Sequence, residues 1–199
     1  MPDALAWYEA HADKVVPRYE GHDPDALNAW LRPFLPSAPA LAIDVGTGSG
    51  RDAAWLARLS HAVVAVEPTR ALREGAQARH PDPRIRWVDD RLPDLDLLHA
   101  EGLRADALLL SAVWMHLPPD VRGRALTRLA GLLAPGGLLA ITIRQGPADP
   151  ERAMHPADAE EITALAAALP LQVIHLGRAE DTHRRAGVSW AYAALRREG

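Results

Sequence analysis

The sequence contains no cysteine, which excludes a disulfide framework, a thiolate metal site and a cysteine nucleophile together. Lys14 is the only lysine, so nearly all positive charge is arginine. Its 22 basic against 26 acidic residues leave a formal charge of −4. A nucleic-acid binder carries an excess of the opposite sign. No apolar run approaches the roughly 18 residues that a membrane span needs. Residues 1–11 carry acids and no basic n-region, so the start does not read as a secretory signal. The nine histidines fall without His-x-x-x-His or comparable spacing, which predicts no metal site. These absences leave a cytoplasmic enzyme or binding protein, long enough at 199 residues to bury one core without staples.

What is present is an alternation. Short runs, apolar through successive residues, lie at 41–45, 63–67, 85–88, 106–111, 138–144, 172–177 and 188–195. Unbroken apolar runs suit strands covered on both faces. Between them the spacing predicts helices over 51–59, 69–79, a stretch marked by Val121, Ala125, Leu129 and Leu132, and 158–169. Pro119 suits a first helical turn, and the Pro135-Gly136-Gly137 run predicts the stop before the fifth strand. Strand–helix alternation implies a parallel sheet with helices on both faces. Ahead of it, residues 1–34 read as a helical lid or flank, with helices near 4–14 and 25–34, and residues 35–199 as the main domain. The stretch 145–156 reads as a loop at the carboxyl ends of the strands, where open α/β sheets bind ligands.

The first strand runs straight into Gly46-Thr47-Gly48-Ser49-Gly50-Arg51 and then a helix. Glycines there permit a tight turn and close backbone approach, and the helix start offers free N–H groups. The spacing is Gly-x-Gly-x-Gly. The third glycine of a dinucleotide fingerprint would fall on Arg51, which argues against a pyrophosphate cofactor. No Gly-Lys-Ser/Thr follows, so a P-loop fails too. Asp44 precedes the turn, where it would repel a diphosphate and attract a cation. Glu67 closes the second strand, about twenty residues past the first glycine, where an acid accepts both hydroxyls of a ribose. A ligand with a ribose, no phosphate and positive charge fits the set: S-adenosylmethionine (SAM).

With these motifs the chain resembles the class I SAM-dependent methyltransferases from about residue 35 to its end. Asp44 through Gly50 looks like the family's SAM loop and Glu67-Pro68 like its ribose-binding end. Trp87-Val88-Asp89-Asp90-Arg91-Leu92 looks like the segment whose acid holds the adenine amine. Residues 106–117, with Ser111 through Leu117, look like strand four and its loop. The resemblance implies a Rossmann-like, seven-stranded, mostly parallel sheet with an antiparallel last strand, SAM as cofactor and S-adenosylhomocysteine (SAH) as product.

The candidate cofactor residues are Asp44, Gly46, Thr47, Gly48, Gly50, Arg51, Glu67, Pro68, Asp89, Asp90, Arg91, Leu92 and Ser111. Asp89 is placed ahead of Asp90 for the adenine amine. Arg51 reaches either the methionine carboxylate or solvent. Tyr8 and Tyr19, in the lid, are expected near that carboxylate. His116, after strand four, is the candidate general base, because a neutral imidazole takes a proton near physiological pH; its plainer reading is a capping or exposed histidine. Trp114, Arg144, Gln145 and His155 are expected to line the acceptor pocket, their plainer readings being a core tryptophan and polar loop residues; residues 181–185 read first as a solvated hairpin and second as a contact to an anionic substrate. Base-amine methyltransferases resemble one another by Asn/Asp-Pro-Pro-Tyr/Phe after strand four. Here Ser111-Ala112-Val113-Trp114 stands in that place, so a nucleic-acid acceptor is disfavoured. A small molecule methylated at oxygen or nitrogen is the leading expectation. A peptide side chain as acceptor, or a SAM- or SAH-holding module without turnover, is the alternative.

Overall fold

The computed structural model describes residues 4–182 and 185–199. Its centre is one seven-stranded sheet: β1 (Leu41–Val45), β2 (Ala62–Val66), β3 (Ile85–Val88), β4 (Ala105–Ser111), β5 (Leu133–Gln145), β6 (Leu171–Glu180) and β7 (Ser189–Arg197). The strand order is β3-β2-β1-β4-β5-β7-β6. The first five strands are parallel, and β7 runs antiparallel to both neighbours, β5 and β6. The helices are α1 (Ala4–Glu20), α2 (Pro24–Leu27), α3 (Arg51–Arg58), α4 (Arg70–Arg79), α5 (Asp96–Ala100), α6 (Pro119–Gly131) and α7 (Ala159–Ala166). Among the described residues no helix is long and apolar enough to cross a membrane.

Alternation along each strand sorts its side chains between two cores. Ile43, Val45, Val64, Val66, Leu108, Leu110, Ile141 and Ile143 face one side, against Leu98, Leu126, Leu129 and Ile162 of α5, α6 and α7. Ala42, Val63, Ala65, Ala107, Leu109 and Ala140 face the other, against Trp55 and Leu56 of α3. Small residues on that second face let the large Trp55 ring lie against the sheet. Leu31, 1% exposed, belongs to this core too, so the chain just before residue 35 is built into the sheet's back. α1 packs apart, with Val15 and Val16 against Leu72 of α4.

Four local readings need correction. The helix expected over 4–14 runs on to Glu20, through Pro17, and is kinked at His11. There the His11 ring takes the Trp7 carbonyl at 2.8 Å, which is the acceptor its own N–H would use in an unbroken helix. The helix expected over 25–34 is one turn, α2, capped by the Asp23 carboxylate, followed by a separate 3-10 turn at Arg32–Phe34. The Pro135-Gly136-Gly137 run does not end a helix and start a strand. β5 begins at Leu133 and absorbs the run as a bulge between Ala105 and Ala107 of β4. The stretch 181–185 lies in the hairpin connection between β6 and β7 as expected, but its start is not solvated: Asp181 is 4% exposed and accepts from Arg185 and from Trp190 Nε1, while His183 and Arg184 lie outside the described residues. α5 went unread, because five residues carry too little periodicity to show.

Leu108 is fully buried in β4 at the middle of the sheet. Leu108→Ala is expected to cost about 2–5 kcal/mol, read as a lower urea midpoint at unchanged slope; an unshifted midpoint would contradict this packing.

Candidate active site

The parallel strands end along one edge, and the chain leaves β1 there through the glycine turn. The N–H groups of Gly46 and Thr47 both donate to the Val66 carbonyl, at 2.8 and 3.0 Å, so the turn folds over the end of β2. Gly46 has φ of 69°, and a Cβ there would lie 2.5 Å from Val113. Only glycine meets both conditions. Gly50, at φ 85°, opens α3; it faces Trp87 and His80, not the cavity.

Glu67 stands under the turn, 4% exposed. One of its oxygens accepts from the Gly48 N–H and the other from the Thr69 N–H, each at 2.9 Å. Burial raises its pKa, opposed by those two donors and by Arg73. The Thr69 hydroxyl bonds the carboxylate as well, and of its about four lone-pair sites at least one stays open. Asp44, 1% exposed, accepts from the Thr47 hydroxyl at 2.5 Å through one oxygen; the other is buried without a partner. Burial and the nearby Asp52 carboxylate push its pKa up. A cation arriving at that oxygen removes both penalties.

Around this turn opens a cavity of about 1230 Å³, lined among others by Tyr8, Tyr19, Asp44, Gly46, Thr47, Gly48, Arg51, Glu67, Pro68, Asp90, Arg91, Leu92, Ser111, His116, Arg144 and His155. Besides Gly50, three expected residues fall elsewhere. Asp89 points outward and pairs with Arg73 at 2.8 Å, its side chain 63% exposed, while Asp90 is buried on the cavity wall. Neighbouring residues leaving a strand face opposite sides, so one of the two acids had to turn away. Asp90 also accepts from the Arg91 and Leu98 N–H groups, which ties the wall to α5. Trp114 is fully buried in the sheet's main core, with its Nε1 turned to Glu161. Gln145 lines a separate cavity of about 240 Å³, shared with Arg144, Met154 and His155.

Arg51 is not a surface arginine: its side chain is 17% exposed and lines the cavity. It clasps Asp52 through two nitrogens, at 2.8 and 3.0 Å, and donates to the Tyr19 carbonyl at 3.2 Å. Asp52 also accepts from Asn28. Burial opposes the charge of Asp52, but Arg51 outweighs it and holds the carboxyl low. Asn28 and Asp52 escaped the sequence reading because their value lies in a contact 24 positions long.

At the other side of β4 the Tyr8 hydroxyl meets His116 Nε2 at 3.2 Å, and His116 Nδ1 meets the Arg152 carbonyl at 2.9 Å. A carbonyl only accepts, so Nδ1 carries the proton and Nε2 accepts from Tyr8. Burial pushes the His116 pKa down to about 4 and that of Tyr8 well up. The Tyr19 hydroxyl approaches Tyr8 at 3.5 Å.

Comparison with known proteins gives the architecture its relatives. Residues 42–137 match the model of a methyltransferase domain. An uncharacterized methyltransferase of Mycobacterium tuberculosis is 37% identical over 116 residues, 57% of this chain and 55% of that one. The trans-aconitate 2-methyltransferase of Methylobacterium radiotolerans is 36% identical over 150 residues, 71% of this chain and 52% of that one. The chain thus spans about half the length of the curated relatives it matches. Among solved structures, the 1,6-didemethyltoxoflavin-N1-methyltransferase of Burkholderia thailandensis, with SAH bound, superposes with a TM-score of 0.70 at 23% identity, covering 98% of this chain and 81% of that one. The sheet order, the glycine turn and the domain model agree: residues 42–137 form a methyltransferase domain, in a chain that has the fold of the SAM-dependent methyltransferases.

Proposed function

We propose that this protein transfers the methyl group of SAM to a small-molecule acceptor. The observation that carries the reading is the floor of the cavity. Two buried acids flank a glycine turn, one of them with an oxygen that lacks a donor. The donor set is all oxygen and carries negative charge, which suits a ribose and a sulfonium and opposes a diphosphate. SAM, when bound, supplies an already activated methyl group, displaced from sulfur in one step.

In this reading Glu67 receives a ribose hydroxyl on its open lone-pair site, and Pro68, Arg91 and Leu92 border the base. Asp90 replaces Asp89 as the acceptor for the adenine amine. Gly46 and Gly48 let the backbone approach the ligand, while Asp44 and Thr47 complete the floor with Ser111 beside them. Arg51 fastens the lid through Asp52 and Tyr19, and its two remaining N–H groups are available to the methionine carboxylate. α1 closes over the ligand as that lid. His116 is a weak base, neutral at physiological pH, with its lone pair engaged by Tyr8. It orients Tyr8 and the Arg152 segment and takes no proton from the acceptor.

Two measurements test this. Titration calorimetry with SAH is expected to show Glu67→Ala weakened by about 1.5–3 kcal/mol, the loss of hydrogen bonds to a charged group; equal affinity in wild type and variant removes the ribose assignment. Histidine NMR is expected to show His116 neutral down to about pH 4. Its folded pKa lies below the unfolded value, so its contribution to stability is whole above about pH 6.5 and is lost as pH falls toward 4. A His116 signal that titrates near 6.5 excludes the Tyr8–His116 pairing described here.

A further inference from the structure

The cavity wall beyond β4 is made by two segments that belong to no strand and no α-helix. Residues 113–118 follow β4, and residues 150–155 lie in the connection after β5. The two hold each other directly at two points. The His155 N–H donates to the Met115 carbonyl at 2.8 Å, and His116 Nδ1 donates to the Arg152 carbonyl at 2.9 Å. Neither segment has a ladder to set its path, so a few bonds decide where Met115, His116 and His155 stand.

A third tie comes from behind the wall. Arg122, on α6, is 2% exposed. Its Nε donates to the Leu117 carbonyl at 3.0 Å, and its Nη1 to the Pro156 carbonyl at 2.9 Å and to Glu161 of α7 at 2.7 Å. Leu117 and Pro156 lie where the two segments end, outside every helix and strand. Glu161 also accepts from Trp114 Nε1 at 3.3 Å, which catches the first segment near its start. The Nη2 of Arg122 is buried without an acceptor. A guanidinium buried against one carboxylate is costly, and a well-packed apolar group often replaces such an ion pair without loss of stability. What an apolar side chain lacks is the planar fork, which holds two carbonyls at a fixed spacing. Buried carbonyls that no ladder serves need such donors.

Resting on the methyl-transfer reading above, we infer that Arg122 is the positioning residue of the acceptor end. From behind the wall it sets the spacing between the segment that carries His116 and the segment that carries Arg152 and His155, and so the shape of the pocket there. The cavity is thus built in two halves. Glu67 fixes the cofactor floor through the glycine turn, and Arg122 fixes the acceptor wall through α6. Among the described residues no hydrogen bond joins Arg122 or Glu161 to the glycine turn, so loss of one anchor leaves the other standing.

The test compares the whole protein as wild type, Arg122→Met, Arg122→Lys and Leu129→Ala. Leu129 is fully buried on the same helix, and its truncation is the control for lost stability alone. Isotope-labelled histidine NMR reads His116, whose charged or titratable neighbours are Tyr8, Asp149, Arg152 and His155. Wild-type His116 is expected as one neutral tautomer, protonated at Nδ1. Arg122→Met is expected to mix the tautomers, because the Arg152 carbonyl no longer stays in place. Its titration is expected to rise by at least about one pH unit toward the ordinary value of about 6.5, as the burial that depresses it is relieved. Arg122→Lys keeps the charge against Glu161 without the fork and is expected to fall between. Leu129→Ala is expected to unfold at lower urea with His116 unchanged. SAH affinity, by calorimetry, is expected to stay within about fivefold of wild type in all three variants, the scale of one neutral hydrogen bond. An unmoved His116 in folded Arg122→Met, or in Arg122→Lys where the first variant does not fold, overturns the inference. An equal change in Leu129→Ala does so too, as does a larger loss of SAH affinity in the Arg122 variants. All of these leave the methyl-transfer reading intact. Failure of the wild-type protein to bind SAH overturns that reading, whatever His116 does.

Discussion

Everything at the ligand edge hangs from one carboxylate. Glu67 ends β2 and grips the Gly48 N–H on one side and the Thr69 N–H on the other. The first bond fixes the glycine turn; the second fixes the start of α4. Two neighbouring parallel strands are thus held in register beyond their last ladder bonds, and the cavity floor is rigid before any ligand arrives. A buried carboxylate is unfavourable alone, and here backbone donors make up the deficit. The same group is therefore a structural clamp and a set of aimed lone pairs. Its two roles do not compete, because at least one lone-pair site stays open after the bonds to the protein are made.

The second organising feature is a fastening between the N-terminal segment and α3. Asp52 lies at the centre, accepting from Arg51 and from Asn28, while Arg51 reaches on to the Tyr19 carbonyl. The residue that opens the helix behind the glycine turn thus also holds the end of α1. Tyr19 lies near Tyr8, and Tyr8 reaches His116 after β4. Movement of α1 away from the sheet has to break these bonds along with the Val15, Val16 and Leu72 packing. α1, Tyr8 and Tyr19 are thus one fastened unit against the sheet edge.

Much of the fold was legible because the parallel core strands carry few polar interruptions. β1 and β3 fall where the apolar runs do, and the glycine turn and Glu67 are read from spacing alone. What stayed hidden depends on pairings remote in sequence. Nothing near Asp52 announces Asn28, and nothing near Arg144 announces that Arg152 and Arg185 will share its cavity wall. Asp89 and Asp90 are indistinguishable by type; the register of β3 decides which faces the cavity. Trp114 looked like an acceptor wall because aromatic residues after strand four invite that reading, yet burial of so large a ring in the core, with its N–H turned to Glu161, is the stronger demand.

The charge pattern explains why acids and arginines occupy the same cavity without cancelling one another. Asp44, Asp52 and Glu67 gather around β1 and β2, and Arg144, Arg152 and Arg185 around β5 and β7, with β4 and its neutral histidine between them. Arg51 is the exception at the acidic end, and Asp52 neutralises it at 2.8 Å. At the basic end Asp149 and Asp181 are committed to Arg152 and Arg185 through close contacts, and Arg144 has no carboxylate partner among the described residues. The separation therefore has a direction. A cation is favoured at the glycine turn and an anion across β4, and the field between them opposes the reverse arrangement.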